Sequence, residues 1–198
     1  MAEASTFQLS ELLANDAQTC FSRLSQLLKP QTTVVVTCQA DDRLPTTFIA
    51  QALAVATASQ GYLRFDGLSS LAQAAIAVID PDRRFAVTGA TRAIAPVGDR
   101  PFQVSIAADG HVNILLLKGI GQHPHMSDTM SHEWVRGLTV SAASIDLSQV
   151  DHLNSLLVAW MLQINQGVGQ GRCRLINVGR QAVAQLTQLR LNHLLNIV

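Results

Sequence analysis

Charged side chains are scarce in this chain of 198 residues, because Asp, Glu, Lys and Arg make up only 14% of it. Ordinary globular domains carry roughly 25%. The formal net charge is +0, and no Lys/Arg cluster of the kind that binds a phosphate backbone is present. We therefore predict that the protein does not bind nucleic acid. With 48% hydrophobic residues, the chain is expected to fold around a core and to present a largely uncharged surface, which favours a partner covering part of it.

Long apolar runs and cysteines are also lacking. No run reaches the roughly 18 apolar residues that cross a bilayer, and no basic segment followed by an apolar one opens the sequence. Cys20, Cys38 and Cys173 are far apart and odd in number, which is typical of buried thiols rather than of a disulfide framework. We therefore predict a cytoplasmic protein without membrane insertion.

Motifs for cofactors, metals and catalysis are absent or incomplete. The glycine-rich run 167–172 lacks the GxxxxGK[ST] pattern of a phosphate-binding loop. His123, His125 and His132 do not make up a clear zinc signature, and no nucleophile–base pair or carboxylate dyad is identifiable. We predict no cofactor, no metal and no catalytic residue, hence a protein that is not an enzyme. A small-molecule or metal-binding enzyme is the alternative if the histidine loop is ordered.

Apolar periodicity divides the rest of the chain into helices and strands. Spacings of three and four predict helices over 7–28, 46–59, 68–79, 131–138, 155–167 and 180–190, the first of them broken at Asn15-Asp16. Short β-branched or apolar runs predict strands over 32–38, 62–65, 143–147 and 172–177. An Asp-Gly turn at 109–110 predicts a hairpin between 102–107 and 112–118. Strands that alternate with helices indicate an α/β fold.

The order strand, helix, strand, helix occurs twice with similar spacing. Thr46 lies nine residues after Thr37 in the first copy, and Ser155 lies nine residues after Asp146 in the second. This repeat predicts two units, residues 1–83 and residues 84–198, of which the second begins with the hairpin.

Residues 146–155 read DLSQVDHLNS, an Asp-apolar-Ser strand end followed by an apolar residue, a polar pair and a helix. This pattern resembles the STAS domain of bacterial anti-sigma-factor antagonists. The resemblance covers roughly 102–198, and residues 7–79 look like a diverged second copy without the opening hairpin. It implies tandem STAS-like units, each a small mixed β-sheet with helices packed mainly on one face.

The resemblance also implies a function, that of a non-enzymatic signalling regulator that docks on an anti-sigma-type serine kinase or another partner protein. The expected docking residues are Asp146, Ser148, Asp151, Asn154 and Ser155, with Thr46 in the first copy, and Ser155 is the candidate phosphorylation site. The family's Asp before the phosphorylated Ser is Asn154 here, and Ser155 or Asn154 can instead simply cap the helix. The alternative function is therefore a constitutive structural subunit of a membrane-transport or stress-signalling assembly. Homodimerisation is left open.

Overall fold

The computed structural model describes residues 6–14, 17–39, 41–80, 84–87, 100–128, 131–169 and 171–198. The described α-helices are α1 (Leu9–Ala14), α2 (Ala17–Leu27), α3 (Thr46–Ser59), α4 (Ser70–Ile79), α5 (Ser155–Val168) and α6 (Arg180–Gln188). The described strands are β1 (Thr6–Gln8), β2 (Thr33–Thr37), β3 (Leu44–Pro45), β4 (Tyr62–Asp66), β5 (Phe85–Val87), β6 (Phe102–Ile106), β7 (Val112–Leu116), β8 (Leu138–Thr139), β9 (Ala143–Asp146), β10 (Cys173–Ile176) and β11 (Asn196–Ile197). The predicted α/β class is confirmed.

The first sheet has the strand order β1-β2-β4-β5, and its described pairs are all parallel. Its second strand reads TVVVT, and Val34, Val35 and Val36 are all buried, as expected for a strand covered on both faces. Phe7 lies in β1, where it pairs with Val36 of β2, and it is buried. The prediction of a helix from residue 7 is therefore corrected, since the helical part begins at Leu9. The break expected at Asn15-Asp16 lies outside the described residues.

The second sheet has the order β11-β10-β9-β7-β6 and is mixed, because β6 runs antiparallel to β7 while the other pairs are parallel. Its strands β7, β9, β10 and β11 have the same order and direction as β1, β2, β4 and β5. Strand β6, which forms the hairpin with β7, is the fifth strand that the second sheet has in addition to these four. The mixed sheet expected in each unit is therefore found in the second, whereas the first sheet is parallel. Strand β5 belongs to the first sheet although it lies beyond residue 83, where the sequence divides the chain.

Other predicted elements differ in detail. The helix expected over 131–138 is a 3₁₀ turn at Glu133–Gly137, and the loop expected before it contains 3₁₀ turns at Ile120–Gln122 and Pro124–Ser127. Such turns are the tighter form that short helical segments often take.

Close backbone contacts join the two units around a continuous apolar core. The 3₁₀ turn Glu133–Gly137 lies against the start of α4, where a Cβ on Gly137 would overlap the backbone of Leu71 and Ala72. Strand β3 pairs in parallel with β8, which joins the start of α3 to the second unit. The buried Gly110, in the turn of the hairpin, contacts Thr46 and Thr47 at the N-terminus of α3.

Candidate functional site

The loop between β9 and α5 lies at the carboxyl end of the second sheet. Asp146 ends β9, and its Oδ1 accepts a hydrogen bond from the Ser148 backbone N–H at 2.8 Å. Its Oδ2 accepts from Asn177 Nδ2 at 3.0 Å, just beyond the end of the neighbouring strand β10. Asn177 has a positive φ of 55°, a conformation that Asn tolerates better than most residues. One carboxylate thus fixes the start of the loop and ties it to the next strand.

These hydrogen bonds stabilise the ionised form of Asp146. Burial acts to raise the pKa of this carboxyl, but hydrogen bonds from the Ser148 backbone, the Ser148 side chain and Asn177 outweigh burial. The pKa of Asp146 is therefore lowered from its ordinary value, and the group is an anion at neutral pH.

Asn154 fixes the other end of the loop. It is the N-cap of α5, where its Oδ1 accepts from the Leu157 N–H at 2.8 Å. Its Nδ2 donates to the Gly121 carbonyl oxygen at 2.6 Å, in the 3₁₀ turn Ile120–Gln122. The side-chain amide therefore satisfies one of the unpaired N–H groups of the helix start and also binds the loop to its neighbour. Asn154, and not Ser155, is the cap.

Seven residues around this helix start face solvent, and we call them the α5-start surface: Ser148, Gln149, Asp151, His152, Asn154, Ser155 and Leu156. Ser155 is the first residue of α5, so a group on its hydroxyl would lie near the positive end of the helix. Leu156 is 50% exposed, while the adjacent Leu153 and Leu157 are buried. The surface therefore consists of an apolar side chain among polar ones, on a backbone that Asp146 and Asn154 hold in place.

Thr46 occupies the equivalent place in the first unit but is not accessible. Only 1% of Thr46 is exposed, and its Oγ1 donates to the Thr139 carbonyl oxygen at 3.4 Å. A Cβ on Gly110 would lie 2.9 Å from Thr46 Oγ1 and 2.8 Å from the backbone nitrogen of Thr47. The expectation that Thr46 belongs to a docking surface is therefore corrected, because the hairpin of the second unit already covers it.

Two residues of the site escaped the sequence analysis. Asn177 lies 31 positions from its partner Asp146, and the available signal was that parallel strands end at the same edge of a sheet. Leu156 looks like any apolar residue of a helix, and only its exposure separates it from Leu157.

The histidine-rich loop does not form a metal site within the described residues, where no three His, Cys, Asp or Glu side chains are grouped suitably. The rings of His123 and His125 are 6.4 Å apart, and His125 also lies 5.7 Å from Phe102 in the core. Burial lowers the pKa of His125, and the positive charge of Arg100 adds to that effect. His125 is therefore a neutral core residue at pH 7.

A polar cluster lies on the other face of the second sheet. Ser144 is 5% exposed, its Oγ donates to Asn113 Oδ1 at 2.8 Å, and His111 Nε2 lies 3.1 Å from the Ser144 Oγ. Because a hydroxyl group can rotate, the Ser144 Oγ can form its hydrogen bond with either Asn113 or His111. Ser144 and Asn113 line a cavity of about 590 Å³.

The remaining expectations concern thiols and the membrane. Cys38 and Cys173 are buried thiols, and burial raises the pKa of each to about 12. The side chain of Cys20 lies outside the part of the chain that the structure describes. Among the described helices, none combines the length and the apolar character needed to cross a bilayer.

Comparison with models of protein families, with curated proteins and with solved structures finds no match to this chain. The resemblance to the STAS family therefore stands on the residues quoted above, and the function it implies is a proposal.

Proposed function

We propose that this protein is a non-enzymatic regulatory module of the STAS type, which docks on a kinase-like or other partner protein through the α5-start surface. The observation that carries the proposal is the contact between the hairpin turn and the N-terminus of α3. Helix α3 follows β2 as α5 follows β9, so the two helix starts are equivalent in the two sheets. In the first unit this place already binds a protein segment, the turn that contains Gly110. In the second unit it is exposed.

The composition of the α5-start surface supports the same proposal. It contains one acidic side chain, Asp151, one histidine, His152, and no Lys or Arg, so long-range charge contributes little to partner binding. Leu156 supplies exposed apolar area that a docked partner would bury, which favours association. Because Asp146 and Asn154 fix the backbone beneath it, little conformational entropy is lost on binding.

A constitutive structural subunit is the second candidate, and the hydrogen bonds of Asn154 favour it. The Oδ1 of Asn154 accepts a hydrogen bond from the Leu157 N–H, and its Nδ2 donates one to the Gly121 carbonyl oxygen. The surface is therefore ordered without a phosphate group. The two candidates differ in what Ser155 does. A regulated module would lose its partner when Ser155 carries negative charge, whereas a constitutive subunit would keep it.

The test compares single variants of the tagged full chain in affinity purification from its own cells. Leu156→Asp is expected to lose the partner that the wild type retains, because a charge replaces the exposed apolar side chain of the surface. The matched control is Leu189→Asp, since Leu189 is 58% exposed and lies just after α6. Retention of the same partner by Leu156→Asp would contradict docking at this surface.

The same purification with Ser155→Asp separates the two candidates. Loss of the partner in Ser155→Asp but not in Ser155→Ala supports the phosphorylation switch. If both variants retain a partner that Leu156→Asp loses, the protein is a constitutive subunit.

A further inference from the structure

A second concave site lies away from the α5-start surface, between the last turns of α5, the start of β10 and the segment 192–196. It is a cavity of about 520 Å³. The residues that line it are mostly uncharged and polar: Leu162, Asn165, Gln166, Gly171, Cys173, Asn192, His193, Leu194 and Asn196. This site lies at the opposite end of α5 from the α5-start surface. It is therefore independent of the function proposed above.

Asn165 is the unusual residue of this cavity. It is only 6% exposed, and its Nδ2 donates to the Leu194 carbonyl oxygen at 3.0 Å. Its Oδ1 is buried and accepts no hydrogen bond from any described residue. The bond to Leu194 fixes the orientation of the amide, because a flipped side chain would bring two oxygens together. A buried acceptor without a donor is costly, so Asn165 Oδ1 would be stabilised by a donor that a bound molecule brings.

The lining determines the charge of that molecule. Among the described residues around the cavity there is no Asp, Glu, Lys or Arg. Burial raises the pKa of Cys173 to about 12, so its thiol is neutral as well. Apart from His193, the lining offers a charged ligand no partner of opposite charge, and an uncharged ligand is therefore favoured.

The lining also determines the shape of the ligand. The amides of Gln166, Asn192 and Asn196 offer both donors and acceptors, which pair with the edge of another amide. Leu162 and Leu194 offer apolar contacts, which suit the faces of a flat group better than a polyol with hydroxyls on every side. We propose that this cavity binds a small uncharged amide, either a carboxamide or a cyclic amide of the nucleobase type, whose N–H donates to Asn165 Oδ1.

The test is a titration of the isotope-labelled full chain with benzamide, followed by the NMR signals of the Asn165 side-chain amide and the Cys173 backbone amide. We expect saturable shifts with a dissociation constant that is roughly millimolar, as is usual for a ligand of this size. Benzoate is the matched control, because it has the same shape but carries a charge and no N–H donor. Uracil in place of benzamide identifies the type of amide, since the tighter of the two indicates the natural chemistry.

Two variants complete the experiment. Asn165→Leu is expected to bind benzamide at least about tenfold more weakly, because it removes the buried acceptor. Asn196→Ala, an exposed change that leaves the Leu194 contact in place, is expected to weaken binding severalfold in a chain that folds normally. The proposal is overturned if benzamide and uracil give no saturable shift, if benzoate binds as well as benzamide, or if neither variant weakens binding. An ordered water as the only partner of Asn165 Oδ1 would likewise refute it.

Discussion

Phe102 packs against three rings, each of which has a buried nitrogen without a hydrogen-bond partner among the described residues. Its ring centroid lies 5.2 Å from Trp160, 5.7 Å from His125 and 6.3 Å from Trp134. Trp134 Nε1, Trp160 Nε1 and His125 Nε2 make no hydrogen bond to the described part of the chain. Each unpaired nitrogen reduces stability, and the aromatic packing offsets that loss. For His125 the environment also decides the pH dependence of folding.

Folding stability should fall as the pH drops below 6.5. Burial, the first cause, and Arg100 lower the pKa of His125 from its ordinary value of 6.5 in the folded state, although the nearby Asp128 acts in the opposite direction. The unfolded chain therefore takes up a proton first, and the stabilisation present above pH 6.5 is lost as the pH falls through the folded pKa. Burial also lowers the pKa of His132, so part of the loss of stability at low pH comes from that residue.

His125→Phe removes one of the two sources of this dependence while retaining a ring beside Phe102. We expect the difference in unfolding free energy between pH 7.5 and pH 5 to be smaller in His125→Phe than in the wild type, as measured by urea denaturation at the two pH values. His152→Gln, which removes an imidazole from an exposed position, is the variant for comparison. An unchanged difference in His125→Phe would contradict the assignment to His125.

Among the elements, the longer helices could be predicted closely from sequence. Helix α3 occupies the predicted range 46–59, and α5 exceeds its prediction by one residue. Both follow from local chemistry, because Asn154 caps α5, Gly169 follows its last residue, and Pro45 stands before the first turn of α3. Local signals of this kind act within a few residues, so they can be read from a single sequence.

The strands that were missed are those of two or three residues: β1, β3, β5, β8 and β11. A segment as short as Asn196–Ile197 has no periodicity of its own, and it becomes a strand only because β10 is beside it. The candidate site also has one part that could be predicted from the sequence and one part that could not. The loop from Asp146 to Ser155 could be predicted, whereas the burial of Thr46 depends on Gly110, 64 positions along the chain, and on Thr139.

The packing of α4 against the 3₁₀ turn Glu133–Gly137 requires glycine. A Cβ at position 137 would overlap the backbone of Leu71 and Ala72, which cannot rotate away as a side chain would. Gly137→Ala is therefore expected to lower the unfolding free energy by about 3 kcal/mol, at the upper end of the usual cost of overpacking. Chemical denaturation measures this loss. Gly179→Ala is the control, because Gly179 has a φ of −61° and a Cβ there meets nothing within 4 Å. Equal stability of the two variants would refute the close approach.

At the scale of the whole molecule, the two units are not independent. The hairpin of the second unit contacts the helix start of the first, β3 pairs with β8, and one apolar core includes residues of both sheets. The repeated unit therefore exposes one of its two equivalent helix starts and covers the other. This asymmetry is the physical basis for expecting a single docking surface on the chain.

Gly110 and Gly119 allow the contact between the units to be measured. Both have a left-handed backbone, with φ of 83° and 81°, so Ala costs about 1 kcal/mol or slightly more at either position. A Cβ at Gly119 meets nothing within 4 Å, whereas one at Gly110 would lie 2.6 Å from Thr47 Cγ2 and 2.8 Å from the Thr47 nitrogen. We therefore expect Gly110→Ala to be less stable than Gly119→Ala by about a further 1–3 kcal/mol in chemical denaturation. Hydrogen exchange at the Thr47 amide should become faster in Gly110→Ala alone, because the turn that covers the start of α3 must move away. If the two variants are equally stable and exchange Thr47 at the wild-type rate, the hairpin does not cover the first helix start, and the case for a single docking surface at α5 loses its basis.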